Sequence, residues 1–278
     1  MHDIHNDFEI ENILEENRKR HEIINAPYNP VTGLGAVGER KKISIKDSPI
    51  GDMYLPVELI KENLFIRRLA KYGFKGYIIR FIKEVEYSEE ALNQLWIEFI
   101  KYRIIYDFEY WAYSFIFIKD KVSPKDIPFK LNRAQRRVLN KLEKLRKAGK
   151  PIKFILLKAR QWGGSTLVQI YMLWIMLVHR RNWNTVICGD VETQSRNVRA
   201  MITKALNKYP SYLLGETVKF TPFEGSSKNK VIQNTNCVVS IGSFQKPDTL
   251  RSGDISGAHL TEIGLWRATP GKKPEDLI

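Results

Sequence analysis

Cysteine is scarce in this sequence, and long apolar runs are missing from it. The 278 residues contain two cysteines, Cys188 and Cys237, and neither belongs to a Cys-x-x-Cys or Cys/His pattern. This argues against a disulfide framework or a metal site and favours a reducing compartment. The longest apolar run, residues 170–178, is far shorter than the roughly 20 residues that span a bilayer. The acidic, polar opening segment lacks the pattern of a signal peptide. We therefore predict a cytoplasmic protein with no membrane partner.

Acidic residues are few compared with basic ones, and the formal net charge is +14. Residues 130–160 contain twelve Lys or Arg but one acid, Glu143, whereas the first thirty residues contain seven acids and three bases. A concentrated basic block suits a polyanion such as nucleic acid. A solvated helix face explains the same charges equally well, so the charge alone does not name the partner.

The first part of the chain, residues 1–125, is predicted to be a mostly helical accessory region. An acidic helix is followed by a Pro- and Gly-rich linker or extended arm near residues 26–56. After Pro56 apolar residues return at helical spacing as far as Gly73. An aromatic stretch at residues 92–119 suits base stacking, but it fits better the packed face of one or two helices.

Strands and helices alternate in the second part, residues 126–278. Asn132 is placed to cap a helix, and the apolar segment 152–157 is predicted to be a buried strand. The next helix is apolar on nearly every side, as expected of a helix inside a domain. Further elements follow in the order strand, helix, hairpin and strand, at residues 184–189, 192–207, 231–242 and 255–266. This order predicts an α/β fold with a mainly parallel sheet flanked by helices.

Residues 158–165, KARQWGGS, have the length of a phosphate-binding loop, G-x-x-x-x-G-K-[ST], and lie between the predicted strand and helix. Backbone N–H groups at a helix start can hold a polyphosphate, and Gly163 and Gly164 allow close approach. Ser165 or Thr166 offers a hydroxyl to Mg²⁺. Lys158 stands where the usual first glycine would be, but its long side chain can still reach the phosphates. An ordinary strand–helix turn is the alternative.

A second motif, GAHLTEIGLW, places Glu262 after a short apolar strand about a hundred residues beyond the loop. An ATPase of this architecture needs an acid there to orient the attacking water, and commonly an Asp before it for magnesium. Thr261 holds the Asp position, so it would act on Mg²⁺ through its hydroxyl or a bound water.

Four segments resemble the large terminase subunits of tailed bacteriophages: PFKLNRAQRRVL, ILLKARQWGGSTL, NTVICGDVETQSRNVRAMI and TLRSGDISGAHLTEIGLW. They cover residues 128–267, about half of the chain. The resemblance implies a P-loop ATPase fold of the ASCE type. It also implies a motor that hydrolyses ATP to move double-stranded DNA into a procapsid. The displaced lysine and the Thr-Glu pair are variants that this family tolerates.

The resemblance also implies roles for single residues. Gln135 corresponds to the glutamine that recognises adenine, and Glu262 to the carboxylate that polarises water. Arg160 corresponds to an arginine finger acting within one subunit, although a structural ion pair explains it equally well. Arg251 is a weaker candidate for phosphate sensing. The implied ATP- and Mg²⁺-binding loop comprises Lys158, Ala159, Arg160, Gln161, Trp162, Gly163, Gly164, Ser165 and Thr166.

The family implies partners as well: a portal protein, a small terminase subunit and a homo-oligomeric ring on the portal, in the cytoplasm of the host cell. The sequence stops soon after the Glu262 motif and offers no acidic triad for a nuclease. We therefore expect an ATPase part that ends before the coupling motif and the nuclease domain. The alternatives are a basic DNA-binding adaptor with a vestigial loop, another P-loop nucleic-acid translocase and, less well supported, a small-molecule kinase.

Overall fold

The computed structural model describes residues 4–25, 27–82, 87–120, 122–157, 162–246, 254–268 and 273. Contacts divide the chain into two units. The first comprises residues 1–110 and 130–159, and the second comprises residues 111–129 and 160–278. The predicted division of function at residue 125 is not tested by these contacts and stays a prediction.

The first unit is mostly helical and contains one hairpin. Its elements are α1 (Ile4–Asn25), β1 (Arg40–Ser44), β2 (Asp52–Pro56), α2 (Val57–Glu62), α3 (Leu64–Phe81), α4 (Glu89–Tyr106), the start of α5 (Phe108–Phe115) and α6 (Arg133–Lys147). Strands β1 and β2 pair antiparallel within the predicted linker or arm.

A buried ionic network fixes the β1 end of this arm. Arg40 donates to both carboxylate oxygens of Asp107, at 2.7 and 2.9 Å, and Arg103 Nε donates to Asp107 Oδ2 at 3.1 Å. Arg136 Nε donates to Glu109 Oε1 at 2.9 Å. All five side chains are at most 8% exposed. Because buried charges need partners, the network ties β1 to the ends of α4 and α5 and to α6.

Helix α6 begins and ends where its sequence predicts. Asn132 accepts from the backbone N–H of Gln135, whose side chain accepts from Asn132 N, and the pair forms a capping box. After the last turn Gly149 has φ +64°, which a glycine adopts without steric cost. The apolar face is buried through Val138, Leu139 and Leu142.

The aromatic stretch 92–119 packs as predicted. It falls mainly on α4 and α5, and Phe99 and Trp111 are fully buried. The ring of Trp96 stacks on that of Phe99 with a centroid separation of 4.9 Å. Large buried rings contribute area and specific geometry to a core, so these aromatics are mainly structural.

The second unit is α/β. Besides the rest of α5 it contains β3 (Phe117–Lys119), β4 (Asp126–Pro128), α7 (Gly164–Trp174), β5 (Asn184–Gly189), α8 (Glu192–Leu206), β6 (Phe220–Phe223), β7 (Ser226–Ile232), β8 (Cys237–Ser243) and β9 (Gly257–Leu260). A π-helical turn, Ile175–His179, continues α7.

The main sheet has the strand order β6-β7-β8-β5-β9 and is mixed. Strand β5 runs parallel to β8 and β9, whereas β6, β7 and β8 pair antiparallel. The predicted α/β class is confirmed, but the prediction of a mainly parallel sheet is wrong. The reason is local: β7 and β8 form the predicted hairpin, and tight turns join only antiparallel neighbours.

Helix α7 is buried nearly all round, as its apolar sequence predicts. Leu167, Ile170, Leu173 and Trp174 are fully buried, and the helix packs against α8 and β9. Within the described part of the chain, no helix is both long enough and apolar enough to cross a membrane.

The predicted buried strand at residues 152–157 is wrong. The segment has no regular secondary structure, and the side chains of Ile155 and Leu157 are 93% and 100% exposed. A strand is stable only where a neighbour supplies the ladder of hydrogen bonds, and no such pairing of this segment exists among the described residues. Apolar composition indicated burial but could not supply that neighbour.

Candidate functional site

The carboxyl ends of three strands meet at one edge of the main sheet. Since β5 is parallel to both β8 and β9, the residues that follow these strands lie together. They are Asp190 after β5, Phe244 and Gln245 after β8, and Thr261 and Glu262 after β9. In open α/β sheets this edge is where ligands bind.

A chain of hydrogen bonds connects the polar side chains at this edge. Glu262 Oε2 accepts a hydrogen bond from Gln194 Nε2. Gln194 Oε1 accepts from the backbone N–H of Asp190 at 2.9 Å, and Asp190 Oδ1 accepts from Gln245 Nε2 at 2.9 Å. The first turn of α8, which carries Gln194, is therefore hydrogen-bonded to one oxygen of the Glu262 carboxylate.

Glu262 itself has an unusual backbone and an exposed side chain. Its φ of +56° lies in the left-handed region, which non-glycine residues rarely adopt, and it precedes a short 3₁₀ turn, Ile263–Leu265. The rings of Phe244 and Trp266 stack with centroids 5.1 Å apart, and Ile263, the first residue of this turn, packs against them. Strained positions of this kind cluster at functional sites, but four other described non-glycine residues also have positive φ, so the role of Glu262 stays a prediction.

Thr261 is 5% exposed, and its backbone N–H donates to the carbonyl oxygen of Cys188 at 2.8 Å. This bond extends the β9–β5 pairing by one residue and sets where Glu262 leaves the sheet. Cys188 is buried, and burial raises the pKa of its thiol to about 11. The thiol is therefore protonated at neutral pH and is a poor nucleophile.

The predicted phosphate loop is described from residue 162 onward. Lys158, Ala159, Arg160 and Gln161 lie outside the described residues, and so does Arg251. Gly163 has φ +85° and ψ +24°, a conformation that favours glycine, and α7 begins directly after it. The close approach of the backbone to an anion, for which the sequence offered Gly163 and Gly164, stays a prediction.

The first turn of α7 fits an anion. No side chain caps the N-terminus of α7 in the described structure, and the buried Gly164 adds no side chain there. Backbone N–H groups at a helix start attract negative charge, and the hydroxyls of Ser165 and Thr166 are of the kind that bind phosphate-bound Mg²⁺. Trp162 precedes this turn and is partly buried.

One contact links the second turn of α7 to the end of β9. The Gln169 side chain is fully buried, and its Nε2 lies 2.6 Å from Nδ1 of His259, which precedes the last residue of β9. This contact positions the N-terminal half of α7 beside the strand that leads to Thr261 and Glu262. Nothing in the sequence pairs residues 90 positions apart, so this contact was not predicted.

Gln135 belongs to the first unit, whereas the other described site residues belong to the second. Its side chain is 4% exposed and closes the capping box of α6. That structural role accounts for its burial, and its role in adenine recognition stays a prediction.

A pre-formed metal site of protein ligands is not found among the described residues, where no group of three or more His, Cys, Asp or Glu converges. Magnesium in nucleotide sites usually relies on one or two protein oxygens together with phosphates and water. The hydroxyl oxygens of Ser165 and Thr261 are suitable ligands for Mg²⁺. These residues fit the predicted ion only if a bound polyphosphate supplies further oxygen ligands.

A surface pocket of about 420 Å³ in the second unit contains none of the predicted residues. It is lined by Asp126, Ala200, Thr203, Lys204, Asn207 and Lys208. Both lysines bind the Asp126 carboxylate, at 2.6 and 3.0 Å, which lowers its pKa. Since its cations are already paired with an acid, this pocket does not replace the sheet edge as the candidate site.

No protein-family model matches this chain, and no curated protein matches it in sequence.

Proposed function

We propose that this chain is the ATPase motor part of a viral DNA-packaging machine of the large-terminase type. The observation that carries the proposal is the orientation of Glu262, which follows β9 in a left-handed conformation and accepts a hydrogen bond from Gln194. A carboxylate held in this way at the carboxyl end of a parallel strand is suited to activating water.

In this proposal different residues bind the phosphates, bind the magnesium ion and activate the water. The N–H groups of the first turn of α7 bind phosphate oxygens, and the hydroxyl of Ser165 takes a place in the magnesium shell. Bound Mg-ATP supplies the phosphoanhydride bond that is broken. Glu262 orients the attacking water and accepts its proton, while Gln194 keeps the carboxylate in position.

The partners belong to the same proposal. A packaging motor acts on double-stranded DNA as a homo-oligomeric ring on a portal protein, with a small terminase subunit, in the cytoplasm of the host cell. The resemblance of residues 128–267 to the large terminase subunits supports these partners, together with the excess of positive charge.

A DNA-binding adaptor with a vestigial loop is the second candidate, and one observation favours it. Residues 151–157, which precede the predicted loop, have no regular secondary structure. A phosphate loop normally follows a strand that fixes its position. An adaptor would keep the basic surface but would not bind a nucleotide.

Binding of a fluorescent ATP analogue separates the two candidates. We expect the wild type to bind it in the presence of Mg²⁺. Ser165→Ala should weaken that binding about tenfold, equal to ~1.4 kcal/mol, because a magnesium-binding hydroxyl is lost. The difference should vanish when EDTA removes the metal. Ser211→Ala, at the exposed start of a 3₁₀ turn, is the matched control. Absence of binding by the wild type would favour the adaptor.

A further inference from the structure

Helix α3 carries five basic residues and no acidic one: Arg67, Arg68, Lys71, Lys75 and Arg80. We call these five residues the α3 cationic surface. Four are exposed and Arg68 is partly exposed. Within the described ranges none of the five forms an ion pair with an acidic side chain.

A kink at Gly73 gathers these cations around aromatic rings. Gly73 has φ +74° and ψ +175°, so α3 is two helical segments. The guanidinium of Arg68 lies 4.5 Å from the centre of the Phe81 ring. In an unbroken helix these residues, thirteen apart, would be separated by roughly 20 Å. The contact therefore depends on the kink.

A second guanidinium group of α3 also lies over an aromatic ring. The guanidinium of Arg80 lies 4.6 Å from the centre of the Tyr72 ring, which is 5.6 Å from the Phe81 ring. Lys71 also lies over Tyr72, at 5.1 Å. The two neighbouring rings thus lie between two guanidinium groups, with Arg68 over Phe81 and Arg80 over Tyr72.

The kink is fixed by packing and cannot be replaced by a regular turn. The backbone N–H of Phe74 donates to the carbonyl oxygen of Lys46 at 3.0 Å. A Cβ atom at Gly73 would lie 2.8 Å from Lys46 Cβ and 2.9 Å from its carbonyl oxygen. Only glycine allows this approach, so the arrangement of cations and rings is pre-organised.

Arginines stacked on rings retain N–H donors at the edge of the guanidinium plane. Stacking orients the group, and its fork of donors matches the oxygens of a phosphate. Lys71 and Lys75, which form no ion pair among the described residues, add charge that releases counterions when phosphates bind. The chemistry of this surface is therefore that of phosphate-backbone recognition.

Acids balance part of the positive charge of the basic block at residues 130–160. Several of its cations are already paired with acids: Arg136 with Glu109, Lys144 with Glu16, Arg146 with Glu143 and Lys147 with Glu58. Of the exposed cations on α6, Arg137 and Lys141 have no such pairing among the described residues. They offer a matched comparison with Lys71 and Lys75.

We propose that the α3 cationic surface binds the sugar–phosphate backbone of nucleic acid. The location of the site rests on α3 alone, and only its use in moving DNA rests on the proposed function. Recognition through phosphates is independent of base sequence and weakens steeply with salt.

The test measures binding of a labelled 20-base-pair duplex and of a single strand of equal length by fluorescence anisotropy, over a series of salt concentrations. No nucleotide is added, so a failed ATPase proposal does not affect the result. The variants are Lys71→Gln with Lys75→Gln, and Arg137→Gln with Lys141→Gln, which change the net charge equally.

We expect the α3 variant to bind both oligonucleotides about tenfold more weakly at 0.1 M salt. The slope of log affinity against log salt for the duplex should become shallower by roughly 2, since each lost phosphate contact removes about 0.9. The α6 variant should change affinity less than twofold. A third variant, Arg68→Lys with Arg80→Lys, keeps the charge and should lose part of the affinity, because lysine lacks the planar fork.

Equal losses in the α3 and α6 variants would overturn the proposal, since charge alone would then explain binding. A loss confined to the single strand would also overturn it, because stacked bases would be the ligand. The same holds if vesicles with anionic lipids bind the α3 cationic surface and neither oligonucleotide does. Lys71 and Lys75 are exposed, so their variants remain informative even if the arginine variant does not fold.

Discussion

At the scale of single residues, Glu262 depends on a neighbour that is 68 positions away in the sequence. The side-chain amide of Gln194 donates to the Glu262 carboxylate, and its carbonyl accepts from the backbone of Asp190 at 2.9 Å. The amide is therefore oriented at both ends. A carboxylate that is oriented before substrate binds needs less reorganisation during the reaction.

Replacing Gln194 by Ala should lower the kcat for ATP about tenfold, because Glu262 loses the donor that orients it. The affinity for ATP should change little, since Gln194 is not placed on the phosphate loop. Single-turnover and binding measurements on one preparation check both points. Gln233→Ala removes a comparable side-chain bond, to Thr221 at 3.0 Å in the β6–β7 hairpin, and should leave kcat unchanged. Equal effects of the two substitutions would contradict the orienting role.

Gly163→Ala should cost stability of about 1 kcal/mol, because φ +85° is unfavourable for a residue with a Cβ atom. It should also weaken ATP binding, since the loop must adopt this conformation to present its N–H groups. Gly149→Ala is the control, because Gly149 has φ +64° after α6 and its Cβ would meet no neighbour. We expect similar losses in chemical denaturation for both and a loss of ATP binding for Gly163→Ala alone.

The sequence was sufficient to predict some of these residues and not others. A short apolar strand followed by Thr-Glu predicted that Glu262 leaves the end of a strand, as it does in β9. Asp190 also follows a buried strand, and this position could have marked it as a candidate site residue. Gln194 and Gln245 join the site only through tertiary contacts, and their local sequence gives no sign of this.

At the scale of elements, a buried ion pair between Arg40 and Asp107 connects strand β1 of the arm to the end of α4. Burial by itself would raise the pKa of Asp107, but the attraction of Arg40 and Arg103 and the hydrogen bonds it accepts lower this pKa to about 2. A carboxyl whose pKa is lowered on folding stabilises the fold above its unfolded pKa, roughly 3.9. That contribution is lost as pH falls from about 4 through 2.

Asp107→Asn should therefore reduce the free energy of unfolding at pH 7 by about 3 kcal/mol, because two buried guanidinium groups lose their counter-charge. Denaturant unfolding measured between pH 7 and pH 2 checks this value, and the variant should show a weaker pH dependence below pH 4. Asp52→Asn, which breaks the exposed pair with Lys42 at 2.6 Å, should have little effect. A variant as stable as the wild type would show that the network contributes nothing net.

Elements with strong local signals were predicted well, and those that need a distant partner were not. A capping residue and a terminal glycine fix α6 locally, and the all-round apolar helix α7 is buried as expected. Segment 152–157 has the composition of a strand but no pairing partner among the described residues. Composition cannot specify a hydrogen-bonding neighbour, so the prediction of a strand there was wrong. The non-helical break at Gly73 appeared in the sequence as a helix end, although α3 resumes beyond it.

At the scale of the whole molecule, the net charge of +14 is unevenly balanced by ion pairs. Some basic segments have acidic partners, and others have none among the described residues. The block at residues 130–160 stands out in the sequence, yet acids from other segments neutralise part of it. The shorter set on α3 forms no ion pair among the described residues. The basic composition made a polyanion one possible partner without naming it, and the ion pairs seen in the structure are the basis on which we propose the α3 cationic surface as its binding site.

The measurement that tests the central claim most directly is phosphate release from Mg-ATP, with and without duplex DNA. Wild type should turn over, and Glu262→Gln should bind ATP but turn over at least a hundredfold more slowly, since the group that activates water is lost. Glu224→Gln is the matched control, because Glu224 is also exposed and has φ +48°. Turnover by Glu262→Gln at the wild-type rate, or no turnover by the wild type, would contradict the assignment of this chain as a packaging ATPase.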